Sequence, residues 1–158
     1  MTITSARTSR NHVAAGFANI DWAGVEYNFD LGGGKYDKAT KWLKDQRKVI
    51  NLVYDPYNRS KEYNKLSLAL SIYAKTTTLF NVLNVIQDYS MRKKVLNFAK
   101  RDKTKHIYIQ VYGGDKSGIG KKTYHGWQEN RTMKEFLPEI QEVYPHAYMK
   151  TRLIIIDF

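Results

Sequence analysis

Two stretches bring together residue types that can hold a nucleotide-like ligand. The first is Phe29-Asp30-Leu31-Gly32-Gly33-Gly34-Lys35-Tyr36-Asp37, a β-type run that passes straight into three glycines. The second is Leu52-Val53-Tyr54-Asp55-Pro56-Tyr57-Asn58, whose acid stands at the end of the next apolar run. A glycine turn after a strand lets a ligand approach the backbone where a side chain would block it. An acid at the end of the following strand, about twenty residues on, can accept hydrogen bonds from both hydroxyls of a ribose. Together, in this order, Gly32, Gly33, Gly34 and Asp55 point to a cofactor site. Singly, the glycines make a plain tight turn and Asp55 begins a turn with Pro56.

A second set of residues suits an anionic acceptor. The loop Tyr112-Gly113-Gly114-Asp115-Lys116-Ser117-Gly118-Ile119-Gly120-Lys121-Lys122 is rich in glycine and lysine. It follows a strand, so it falls on the same sheet edge as the glycine turn. Lys116 and Lys121 are candidate substrate residues, with Trp127, Asn130 and Arg131 as part of the substrate wall. The alternative is a solvated, flexible loop. The loop lacks Ser or Thr after its first Gly-Lys, which excludes a nucleotide triphosphatase. His12, His106, His125 and His146 show no paired ligand spacing, so no metal site is expected.

These residues need elements to position them. Tyr27 to Leu31, Val49 to Tyr54, Thr76 to Leu83, Lys105 to Tyr112 and Leu153 to Phe158 read as strands, with a short one at Ala147 to Met149. Helices are expected at Asp37 to Gln46, after Ser60 with Tyr63, Leu66 and Leu70 inward, from Asp88 or Ser90 with Met91, Val95, Leu96 and Ala99 inward, and at Thr132 to Tyr144. Gly113 to Gly126 reads as loop. Strands alternating with helices predict an α/β fold, a three-layer Rossmann-like sandwich with a mostly parallel central sheet. The 158 residues fit a single domain over 1–158, with a helical extension over 1–25.

Composition bounds the partners. Lys and Arg number 26 against 15 Asp and Glu, a net charge of +11, which suits nucleic acid or another polyanion as well as a merely basic surface. The cations cluster at Arg92 to Lys94, at Lys100 to Lys105 and at Lys116 to Lys122. The absence of cysteine excludes disulfides and thiolate chemistry. No apolar run is long enough for a membrane span, and the start of the chain lacks an apolar signal core, so a cytoplasmic setting is expected.

The stretch Asp30-Leu31-Gly32-Gly33-Gly34 resembles the first motif of class I S-adenosylmethionine-dependent methyltransferases, acid-x-Gly-x-Gly-x-Gly. Asp30, Gly32 and Gly34 match, while the third glycine position holds Tyr36. The resemblance covers roughly residues 28–158 and is to small proteins of the kind phages carry. It implies that Asp30 and Gly32 to Gly34 surround the methionine part of S-adenosylmethionine. It places Asp55 on the ribose and Pro56 and Tyr57 beside the adenine. Leu79-Phe80-Asn81-Val82-Leu83-Asn84 resembles the segment that passes under the sulfonium, with Asn81 and Leu83 on the cofactor and Asn84 toward the substrate. The family's third strand has no counterpart between Asp55 and Thr76, which implies a reduced fold and an adenine side left open or closed by a second subunit. Methyl transfer to an unidentified acceptor is the expected activity. The alternatives are a relative that binds or consumes the cofactor, or inhibits a partner enzyme, and a basic nucleic-acid-binding protein without cofactor.

Overall fold

A computed structural model describes residues 11–158. Six strands form the central sheet. In chain order they are β1 (Tyr27–Leu31), β2 (Ile50–Tyr54), β3 (Thr76–Phe80), β4 (His106–Gln110), β7 (Tyr148–Lys150) and β8 (Leu153–Asp157). Their spatial order is β2-β1-β3-β4-β8-β7. The pairings β1–β2, β1–β3 and β3–β4 are parallel, and β8 runs antiparallel to both β4 and β7. Two further strands, β5 (Lys121–Thr123) and β6 (Gly126–Gln128), make a separate hairpin inside the stretch expected as loop.

Helices cover both faces. Helix α1 (Lys38–Trp42) continues into a wider π-helical turn over Leu43–Arg47 and stops at Lys48, which takes a left-handed conformation at φ 59°. It packs with Phe17, Ile20 and Trp22 of the N-terminal segment against Phe80, Tyr108, Leu153 and Ile155. Ala15–Asn19 forms a short 3-10 helix there; positions 1–10 of the expected helical extension lie outside the described residues. Helices α2 (Lys61–Leu70), α3 (Tyr89–Ala99) and α4 (Met133–Gln141) pack on the other face, over Phe29, Leu52, Leu79, Ile107, Ile109, Ile154 and Ile156.

The helix starts follow from their caps. Ser60 accepts from the Tyr63 N–H at 3.1 Å, Asp88 from the Met91 N–H at 2.8 Å, and Thr132 and Glu135 form a reciprocal capping box. Two inward faces differ from expectation. Leu66 is 60% exposed, and the buried positions of α2 include Asn64 and Ser67, because Asn64 is needed by the β2 end described below. Met91 sits in the first, solvent-facing turn of α3 and is exposed, whereas Leu96 and Ala99 are buried.

The crossover from β1 to β2 runs through α1 on one face. The crossover from β2 to β3 runs back over β1 through α2 on the opposite face. The chain therefore reverses direction across the sheet between β1 and β3. At such a reversal the connections diverge at the C-terminal strand ends and leave a crevice, where ligands of open α/β sheets bind.

Candidate functional site at the C-terminal edge of the sheet

The glycine turn follows β1 at this C-terminal edge of the sheet. Gly32 and Gly34 hold φ values of 77° and 76°, which a side chain disfavours. The Gly32 N–H donates to the Tyr54 carbonyl at 2.8 Å and ties the turn to the end of β2. A Cβ at Gly32 would lie 2.5 Å from Cγ2 of Val82, and one at Gly33 would lie 2.5 Å from Oδ2 of Asp30. The atoms that demand glycine here belong to the chain itself: the segment after β3 leans on Gly32, and Asp30 sits beneath Gly33.

Asp30 is the hub of a buried polar layer. Its Oδ1 accepts from Thr78 at 2.9 Å and its Oδ2 from Asn51 at 3.0 Å. Asn28 donates to both Asn51 and Thr78 and accepts from Thr76, and Asn51 also reaches Thr40 of α1. Burial raises the Asp30 carboxyl above its ordinary value, against the lowering effect of the bonds from Asn51 and Thr78.

Asp55 is 5% exposed and holds the neighbouring turns together. Its Oδ2 accepts from the Gly34 N–H at 3.0 Å and from the Asn58 amide at 3.1 Å. Its Oδ1 accepts from the N–H groups of Tyr57 and Asn58. Asn64 of α2 closes the other side, accepting from the Asp55 N–H at 2.8 Å and donating to its carbonyl at 3.0 Å. Arg59 then straps the glycine loop. It donates to the Gly34 carbonyl at 2.7 Å and the Tyr36 carbonyl at 3.2 Å, and it pairs with Asp37 at 2.9 Å. Pro56 opens this turn, and Tyr57 is 65% exposed at its surface.

The segment after β3 carries two unsatisfied oxygens. Asn81 ends the strand at φ 58°, earlier than expected, a conformation asparagine tolerates well. Its Oδ1 is buried without a hydrogen-bond partner, and so is Oδ1 of Asn84, a residue only 2% exposed. Leu83 between them is fully buried in the core. Native chains leave few such acceptors unpaired, and each is a place where a donor is wanted.

Asn84 also carries the hairpin. Its carbonyl accepts from the Glu129 N–H at 2.6 Å, and its amide reaches Gln128 at 3.3 Å. The expected substrate residues Lys116, Lys121 and Trp127 lie in this hairpin and the loop before it, with differing freedom. Lys121 is engaged by Asp115 at 2.6 Å, and this ion pair holds the Asp115 carboxyl well below the usual range. The Trp127 indole donates to Glu129 at 2.9 Å. Lys116 is exposed on a left-handed turn at φ 59°. Asn130, expected in the substrate wall, organises the loop: buried, it donates to the Ile119 carbonyl at 2.8 Å. Arg59 and Asn64 were invisible in the sequence, because ordinary surface-type residues after an Asp-Pro turn give no periodic or motif signal.

No protein-family model matches the chain, and no curated protein matches it. Solved structures do. The O-methyltransferase NcsB1 from neocarzinostatin biosynthesis, solved with S-adenosyl-L-homocysteine and 1,4-dihydroxy-2-naphthoic acid, superposes with TM-score 0.55 at 18% identity, over 90% of this chain and 52% of that one. The methyltransferase CalO6 gives TM-score 0.56 at 11% identity, over 92% and 60%. The mitomycin 7-O-methyltransferase MmcR gives 0.51 at 12% identity, over 87% and 50%. The chain thus has the Rossmann-like fold of methyltransferases, and it spans only about half to three-fifths of the length of these neighbours. Among the described residues β2 is an edge strand, with no further strand outside it. No helix among them is long and apolar enough to cross a membrane.

Proposed function

We propose that the chain binds S-adenosylmethionine at the C-terminal edge of its sheet and transfers the methyl group to an acceptor docked beside the β5–β6 hairpin. The observation that carries this reading is the pair of buried, unpartnered oxygens of Asn81 and Asn84, which flank Val82, the residue that leans on Gly32. A buried acceptor without a donor costs about 1–3 kcal/mol. A ligand with an α-ammonium group would bring N–H donors to this segment. Solved neighbours with the same fold hold S-adenosylmethionine or its demethylated product, which supports the choice of ligand.

The residues fit the group in parts. Gly32 to Gly34 offer a turn without side chains at the crevice, and Asn81 and Asn84 offer acceptors. Asp55 stands where the ribose acid is expected, but four donors already fill its carboxylate. To accept from a hydroxyl it must exchange one of them. The Asn58 amide is the donor whose loss leaves the backbone bonds of the turn intact. The bound cofactor supplies an electrophilic methyl on a sulfonium, a chemistry that needs alignment more than a fixed set of acids and bases. The chain's own part is to orient the ligand and to hold the acceptor, for which exposed Lys116 and Lys122 suit an anionic group.

Titration calorimetry with S-adenosylmethionine and S-adenosylhomocysteine tests the binding. Dissociation constants in the micromolar-to-millimolar range are expected, weakened about tenfold by Asn84→Leu, the loss of one net hydrogen bond to a charged group. Absence of binding heat at millimolar ligand sinks the proposal. The filled Asp55 carboxylate favours a second reading, binding without transfer. Under it the calorimetric signal persists while no S-adenosylhomocysteine forms with any acceptor, which chromatography of the reaction mixture distinguishes.

A further inference from the structure

We propose that the opposite, N-terminal end of the sheet is a second site, which binds single-stranded nucleic acid. A cavity of about 400 Å³ opens there, lined by Gly24, Glu26, Tyr27, Tyr73, Lys75 and Lys103. It lies where β1 and β3 begin, a full strand length from the glycine turn. The two tyrosine rings stand 6.4 Å apart between centroids, inclined by 41°, and Tyr73 is 49% exposed. The Lys103 ammonium lies 5.5 Å from the centre of the Tyr73 ring, and that of Lys75 donates to the Gly24 carbonyl at 3.2 Å.

The surroundings of the cavity are cationic. The Lys105 N–H donates to the Lys75 carbonyl at 2.7 Å, which sets Lys105 next to a lining residue of the cavity. Lys100 lies over the Phe158 ring at 4.3 Å, and the Phe158 N–H donates to the Lys105 carbonyl at 2.9 Å. Lys75, Lys100, Lys103 and Lys105 are all exposed, and none forms an ion pair among the described residues. The acids nearby are Glu26 in the lining, Asp102 in the cluster and Asp157, which pairs with His106 at 2.7 Å. Ammonium groups without a carboxylate partner around an aromatic-lined hollow match an alternation of phosphate and flat ring. A base stacks on Tyr73, phosphates meet Lys75, Lys103 and Lys105, and Glu26 accepts from a base amino group. Stacking inside a concavity requires an unpaired base, so a duplex is excluded as the preferred partner.

The test is fluorescence anisotropy of the intact chain with a labelled single-stranded oligonucleotide of mixed sequence, over a range of salt, beside a duplex of the same sequence. Expected is salt-sensitive binding with preference for the single strand. Lys75→Gln with Lys103→Gln should flatten the slope of log affinity against log salt by about 1.4, at about 0.7 per cation removed from a single-strand contact. Tyr73→Ala should weaken binding about tenfold with the slope unchanged. Asn84→Leu, at the other end of the molecule, should bind the oligonucleotide as the unaltered chain does, so failure here and failure of the cofactor reading are separable. Affinity unchanged in both basal variants, equal affinity for duplex, or no binding at low salt overturns the proposal.

Discussion

Asp55 shows how one side chain can serve the fold so thoroughly that its availability to a ligand becomes the question. Its carboxylate gathers the N–H groups of Gly34, Tyr57 and Asn58, and Asn64 secures its backbone. Asp55→Ala strands those donors in a buried place and is expected to cost about 3 kcal/mol, read from urea unfolding. A loss under 1 kcal/mol would mean that water or a side chain replaces the carboxylate readily. Asp30 is the opposite case, a charge that burial opposes. Its folded value lies above its unfolded one, so the folded chain holds the proton where the unfolded chain has released it. The stability this confers is present at low pH and lost as pH rises through the folded value. Relative to the unaltered chain, Asp30→Asn should therefore gain stability with rising pH. Unfolding measured across a pH series checks this, and a difference that stays flat would show that the network absorbs the charge.

At the scale of elements, the strands were legible because each is a short apolar or β-branched run bounded by glycine, proline or a charged cluster. Caps at Ser60, Asp88 and Thr132 marked three helix starts. The hairpin β5–β6 was not legible, since Lys121 to Gln128 has no apolar alternation and none of its side chains is buried. The inward face of α2 misled for a related reason: Tyr63 and Leu66 have helical spacing, yet the turn after β2 needs a polar partner, and Asn64 turns toward it. Within the candidate site, the glycine turn and Asp55 could be read from order and spacing. Arg59, Asn64 and the polar layer under Gly33 depend on contacts between distant strands and leave no local pattern. The clasp between α3 and α4 is of this long-range kind. Arg92 donates to both oxygens of Glu139, at 2.6 and 3.1 Å, and Arg131 adds a third bond at 2.8 Å. Burial alone would raise the Glu139 carboxyl, but the bonds from Arg92 and Arg131 outweigh it and leave it lowered. Its contribution is present above the unfolded value and lost as pH falls through the folded one. Glu139→Gln should cost about 3 kcal/mol at neutral pH, the scale for breaking a buried ion pair. That cost should shrink in acid. Thermal or urea unfolding at the two pH values decides the matter, and a cost that stays constant would assign the residue a packing role only.

For the whole molecule, the net charge of +11 acts on folding and on binding in opposite senses as salt is varied. Lysines crowd the N-terminal end of the sheet and the stretch from α1 through its π-helical turn, where Lys38, Lys41, Lys44, Arg47 and Lys48 outnumber Asp45. Such crowding repels itself in the compact state more than in the expanded one. Raising ionic strength until the screening length falls from about 10 Å to about 3 Å removes most of that repulsion between exposed charges. The buried Arg92–Glu139 pair is screened far less, since solvent ions cannot come between its members. The melting temperature should therefore rise with sodium chloride, while affinity for an oligonucleotide falls over the same range. The two curves separate charge that merely burdens the fold from charge placed for a polyanion. Reversing the basal cluster with Lys103→Glu should raise the melting temperature at low salt and weaken oligonucleotide binding together. A melting temperature that falls with salt would place the dominant electrostatics in attractive surface pairs such as Lys121–Asp115, and would remove self-repulsion as a force in this chain.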